Sequence, residues 1–216
     1  MKSDHRLSGL LALVAGAWIA TGASPASAHH VMDGKLPSTF AQGLLSGMGH
    51  PVLGPDHLAF LVALGIAAAL ARSGVALIGA FIAASMAGVM VHLAKLDVPL
   101  IEPMVAGTVI VAGALIALSH REGETGRGEA LWLALAAVAG MLHGYAFGES
   151  IVGAERTVIG AYLIGIALVA AMIAYFVKLA SRRLLTADAI AGRRRAVGGT
   201  LGTLGLALLT FSLIAT

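Results

Sequence analysis

The residues best suited to chemistry lie in Gly47 to Leu64, GMGHPVLGPDHLAFLVAL, where His50, Asp56 and His57 stand at the mouth of an apolar run. In lipid such groups cost several kcal/mol unless something compensates them, so they mark sites or paths. A divalent cation would compensate them, because imidazole and carboxylate are hard-to-borderline ligands that suit Ni, Co, Zn or Mn. The sequence contains no cysteine, which excludes a thiolate zinc site, a disulfide framework and a CxxC redox pair. A metal here must be held by His, carboxylate, Met or backbone oxygen.

The elements that position these residues follow from composition and apolar runs. At 58% hydrophobic and 12% charged, the 216-residue chain carries too few charges to solvate a globular surface. It belongs in a bilayer. The formal charge of +3 comes from Lys and Arg in short loops, a pattern of membrane topology and not of nucleic-acid binding. Residues 1–28 open on Lys2 and Arg6, continue through an apolar stretch, and close with Ser24-Pro25-Ala26-Ser27-Ala28, the plan of a cleavable signal peptide. Removal would expose His29 and His30 at a new N-terminus, where two imidazoles and the amine could chelate a metal. Residues 29–39 then form an external segment, and 40–216 the membrane domain.

Phe40 to Ala71 is longer than one span of about 20 residues, and His50-Pro51 and Gly54-Pro55 interrupt it. Proline removes a backbone donor and drives its predecessor out of the α region. The expectation is a half-helix over Phe40 to Gly49, a non-helical turn, and a second helix from Pro55. Uninterrupted runs predict further spans at Gly74 to Ala94, Val98 to Ser119, Ala130 to Ser150, Thr157 to Leu179 and Ala196 to Ala215. The fold class is thus an all-α membrane protein, a six-helix bundle with a broken first helix. Gly43 and Gly47, Gly140, Gly144 and Gly148, and Gly198 and Gly202 recur at every fourth position, which lets helices approach closely.

With the mature N-terminus outside, the inner loops carry Arg72, Arg121, Arg127, Lys178, Arg182, Arg183, Arg193, Arg194 and Arg195. The outer segments carry only Lys35, Lys95 and Arg156. This agrees with the positive-inside rule. The same topology gathers His50, Asp56, His57, His92, Glu102, His143 and Glu149 toward the outer side, a ligand-lined vestibule. Blander readings stand beside it: His92 and Glu149 are near enough to the surface for solvation, and Glu102 suits a helix first turn. His143 lies deeper and is harder to excuse without a partner. It lies 120° from Glu149 on an ideal helix, so the two reach one ion only if the helix loosens at Gly148. Met48, Met90 and Met141 each stand two residues before a histidine, a combination that would suit copper(I). Positions two apart diverge on a helix, so only Met48 with His50, beside the proline, could share an ion.

These residues resemble a known family. His50-Pro51, Gly54 and Asp56-His57 match the HPxxGxDH signature of the HupE/UreJ proteins, hydrogenase and urease accessory membrane proteins regarded as nickel, sometimes cobalt, permeases. His143-Gly144-Tyr145-Ala146 with Gly148-Glu149 is similar to their second signature, and the likeness runs from signal peptide to last span. It differs at Phe147, where many members carry a second histidine. The resemblance implies a bacterial inner-membrane protein that takes up Ni2+ or Co2+ for metalloenzyme maturation, with no prosthetic group and no enzymatic reaction. Its partners would be the divalent ion and the lipid bilayer, with a homo-oligomer left open. No GxxxxGK[ST] loop is present for nucleotide hydrolysis. The alternatives are a haem-binding electron-transfer protein using the same histidines as axial ligands, and a copper-handling protein. A membrane hydrolase ranks low without HExxH or GxSxG.

Overall fold

The computed structural model describes residues 36–119, 127–184 and 190–215, and among them it is helical with no strand. In lipid the backbone must satisfy its own polar groups, and apolar runs without breakers do so as helices. The helices are α1 (Phe40–Leu53), α2 (Pro55–Leu70), α3 (Gly74–Leu93), α4 (Ile101–Leu118), α5 (Arg127–Gly148), α6 (Arg156–Leu184) and α7 (Ile190–Ala215), with a 3-10 turn at Glu149–Ile151. From α3 to α7, five helices are each long and apolar enough to cross a membrane; α1 and α2 meet that test only together, as a pair bent by 77°. The chain is a multi-pass membrane protein. The signal peptide over 1–28, His29 and His30 lie outside the described residues.

The break in the first element differs from the sequence expectation. Helix α1 continues through His50 and Pro51 to Leu53, and the chain leaves the helix only at Gly54, with φ −77° and ψ 111°. Pre-proline restriction is obeyed at Gly54, before Pro55 at the start of α2, and overridden at His50. Pro51 sits in the last turn of α1, where its missing N–H costs a single bond, and Gly54 N–H still closes that turn onto the His50 carbonyl at 3.1 Å. At its other end α1 starts on Thr39, whose hydroxyl accepts from the Gln42 amide at 3.2 Å, while the Gln42 side chain accepts from the Ser38 amide at 2.9 Å.

Helix α2 is the centre of the bundle: 11 of its 16 residues are buried, among them Phe60, Leu61 and Leu64. Phe60 stacks on Phe81 of α3 at 5.3 Å between centroids. Around α2, neighbours pair through the glycine stripes. A Cβ on Gly47 would lie 2.1 Å from the Tyr162 carbonyl, and one on Gly144 2.0 Å from the Ser85 carbonyl, so neither position has room for a side chain. The matching residues rise together, Gly43 with Val158 and Gly47 with Tyr162, so α1 runs parallel to α6; Phe81 with Gly140 and Ser85 with Gly144 make α3 parallel to α5. Gly113 against Gly198 and Ile110 against Gly205 make α4 and α7 antiparallel. The far sides carry exposed Leu131, Val138, Ile164, Phe176 and Ile214, as lipid-facing surfaces do.

This topology gives the bundle two chemically different ends. The end of α1, the start of α2, the end of α3, the start of α4, the end of α5 and the first turns of α6 lie toward one of them, the histidine end. The other carries Arg72, Lys178, Arg182 and Arg183.

Candidate functional site

Three histidines from three helices meet where α1 gives way to α2. His50, His57 and His143 are 1%, 0% and 0% exposed. His57 Nδ1 and His143 Nδ1 are 2.8 Å apart, a hydrogen bond between buried rings. The rings of His50 and His57 lie 5.5 Å apart between centroids. His143 also meets Thr108 of α4, Nε2 to Oγ1 at 3.0 Å, so both of its ring nitrogens are engaged in hydrogen bonds. On the α1 side, His50 Nδ1 lies 2.7 Å from the Tyr162 hydroxyl and 3.2 Å from Ser150 Oγ. Local sequence explains each placement. Gly47 and Gly144 let α1 and α5 approach their neighbours to backbone distance, and Gly54-Pro55 turns the chain so that residues seven apart face each other across the bend.

Phe147 sits among these rings. It is fully buried, 4.3 Å from His57 and 5.1 Å from His50 between centroids, one helical turn beyond His143. At this position, where the family resemblance implies a second histidine, the chain packs a phenyl ring against all three histidines. Phe60 and Phe81 close the other side of His143, at 4.7 and 5.7 Å. The surroundings are therefore apolar apart from hydroxyls, and buried imidazoles there need hydrogen bonds or an ion.

The remaining predicted residues are placed differently. Asp56, in the first turn of α2, accepts the His57 backbone N–H at 2.8 Å and lies 4.0 Å from His57 Nδ1, at the rim of the cluster. A carboxylate also suits that helix N-terminus electrostatically. His92, at the end of α3, packs its ring against Tyr145 in a tilted arrangement at 4.4 Å between centroids instead of joining the three histidines. Tyr145 donates to the Leu96 carbonyl at 2.8 Å and accepts from the Val98 amide at 3.0 Å, which ties down the turn between α3 and α4. Glu102 is half-buried in the first turn of α4. Glu149 is exposed in the 3-10 turn, although α5 does end at Gly148. Among the described residues, no three His, Asp or Glu side chains are arranged to hold one ion together.

The methionines do not extend the cluster. Because α1 is helical through both Met48 and His50, that pair diverges as any i, i+2 pair does. Met90 and Met141 are exposed on the outside of the bundle. Sequence reasoning missed Thr108, Ser150 and Tyr162. Their only sequence signal is a polar atom within an apolar run.

Chemically, the arrangement offers buried imidazole nitrogens in a largely apolar setting at the end of a bent span, with one carboxylate at its edge. No curated protein and no solved structure matches the chain. A family model described as HupE / UreJ protein matches residues 17–208, most of the chain, and with the two histidine signatures now folded into one buried cluster the protein belongs to the HupE/UreJ family.

Proposed function

We propose that this protein carries Ni2+ or Co2+ across the bacterial inner membrane as a facilitator or secondary permease that supplies metalloenzyme maturation. The observation that supports it is the convergence of His50, His57 and His143 beside the bend between α1 and α2. Counting α1 and α2 as one broken span gives six crossings. A cleaved signal peptide then leaves the mature N-terminus and the histidine end facing the periplasm, and the arginine end facing the cytoplasm by the positive-inside rule.

In this reading Asp56 draws the cation to the rim, and His50 and His57 replace part of its water shell. Few strong ligands suit a carrier, since binding must favour entry and still permit exit. The membrane potential drives the step: a doubly charged ion moving inward gains about 4.6 kcal/mol per 100 mV. That corresponds to accumulation on the order of a thousandfold. The haem alternative is disfavoured by the hydrogen bond between His57 and His143 and by Phe147 packed among the rings, which fill the space a macrocycle would occupy.

Uptake of radioactive nickel and cobalt in cells expressing wild type or His57→Ala tests the proposal. The variant, present in the membrane at wild-type level, is expected to lose at least nine-tenths of uptake. Equal uptake by both removes the histidine cluster from the ion's path.

A further inference from the structure

The hydroxyls around the cluster determine which nitrogen of each ring carries its proton. A carbonyl oxygen has no proton, so when a hydroxyl lies 2.6 or 2.7 Å from one, the hydroxyl's single hydrogen must lie between them. Thr108 Oγ1 is 2.6 Å from the Val105 carbonyl and Tyr162 Oη is 2.7 Å from the Phe147 carbonyl, which lies in the last turn of α5. Both hydroxyls therefore spend their hydrogen on a carbonyl and can only accept from a histidine.

The consequences run from ring to ring. His143 must donate to Thr108 through Nε2–H, which in a neutral imidazole leaves Nδ1 bare. The 2.8 Å contact between the two Nδ1 atoms needs one proton, and His57 supplies it. His57 thus carries its proton on Nδ1 and a lone pair on Nε2. On the other side His50 donates Nδ1–H to Tyr162, which leaves its lone pair on Nε2 as well. Ser150, at 3.2 Å from His50 Nδ1, can accept from the same N–H.

We infer that Tyr162 acting on His50, and Thr108 acting through His143 on His57, are positioning residues that hold both histidines in the one tautomer able to give Nε2 to a divalent cation. In this assignment His143 orients a ligand and is not itself one. The inference rests on the nickel or cobalt reading, and partners of this kind set ring orientation and donor strength at metal sites generally.

The test uses full-length protein, purified in detergent and labelled with 15N-histidine. Nitrogen NMR of the metal-free wild type reads the tautomers, with resonances assigned through His50→Gln, His57→Gln and His143→Gln. The expected result is Nδ1–H for His50 and His57 and Nε2–H for His143. Nε2–H on either His50 or His57 in folded wild type overturns the inference.

Calorimetric titration with Ni2+ supplies the second readout. Tyr162→Phe and Thr108→Val are expected to weaken nickel binding 10- to 100-fold. Thr108→Ser, which keeps the hydroxyl, restores wild-type affinity. Wild-type affinity in both Tyr162→Phe and Thr108→Val also overturns the inference, and should either variant fail to fold, the wild-type tautomers and Thr108→Ser still decide. Failure of the permease reading is distinguishable: it shows as unaffected uptake in His57→Ala, and it leaves the tautomer measurement unchanged.

Discussion

The two ends of the bundle handle polar groups in opposite ways. At the arginine end, Glu129 of α5 accepts from the backbone N–H of Ser73 at 2.8 Å and from its hydroxyl, closing the start of α3. That arrangement ties the residue before α3 to the first turn of α5 and satisfies its amide and hydroxyl. At the histidine end, five side chains from five helices, His50, His57, Thr108, His143 and Tyr162, are bonded in two short chains inside an apolar shell. Helix ends need caps, and nothing in helix formation needs three imidazoles in contact. The difference separates polarity that serves the fold from polarity that the fold has been built to hold.

The comparison can be broken most severely at Gly47. Replacing it with leucine forces a side chain into the Tyr162 backbone, and a thermal melt of the purified protein should show a loss of about 3 kcal/mol or more, with nickel uptake abolished. A sharper probe is Phe147→His, which places a further nitrogen donor against His50 and His57. Nickel binding by calorimetry is expected to tighten about tenfold, equivalent to 1.4 kcal/mol, while transport slows because release becomes limiting. Unchanged affinity would mean that the ring at this position does not face the ion. The smallest effect belongs to the arginine end. Ser73→Ala should cost a slight fraction of thermal stability, no more than one N-cap is worth, and leave uptake as in wild type.

Much of the fold is legible in the sequence because membrane helices announce themselves. The apolar runs from Gly74, Val98, Ala130, Thr157 and Ala196 each correspond to one observed helix, and the helices starting at Arg127, Arg156 and Ile190 extend past their runs. Gly43, Gly47, Gly140, Gly144 and Gly198 mark helix contacts in the structure as their spacing implies. The break was less legible. Local rules weigh Pro51 and Pro55 alike, whereas the packing of α1 on α6 keeps His50 helical and leaves Gly54 to turn the chain.

The site divides along the same line. His50, Asp56, His57 and His143 stand out because ionisable residues are costly in apolar runs. The structure brings the three imidazoles near one another with Asp56 at their rim, but among the described residues no three of these side chains are arranged around one ion. His92, Glu102 and Glu149 share their end of the bundle, but their distance from the cluster depends on how α3, α4 and α5 are rotated, which spacing does not encode. Thr108 and Tyr162 are invisible for a further reason. The Thr108 hydroxyl bonds its own backbone, as hydroxyls in apolar helices commonly do, and only a neighbouring helix reveals its second partner; both partners of the Tyr162 hydroxyl lie on other helices.

The 77° corner at Gly54 has a mechanical corollary. His50 rides on one arm, four residues before the corner and about 6 Å from it, and His57 on the other. Flexing the corner by about 10° would swing His50 through about 1 Å, several times the slack of about 0.2 Å that a metal–nitrogen bond tolerates. In the proposed carrier, a grip shared across such an elbow is loosened by a movement far smaller than any rearrangement of the helices that surround it.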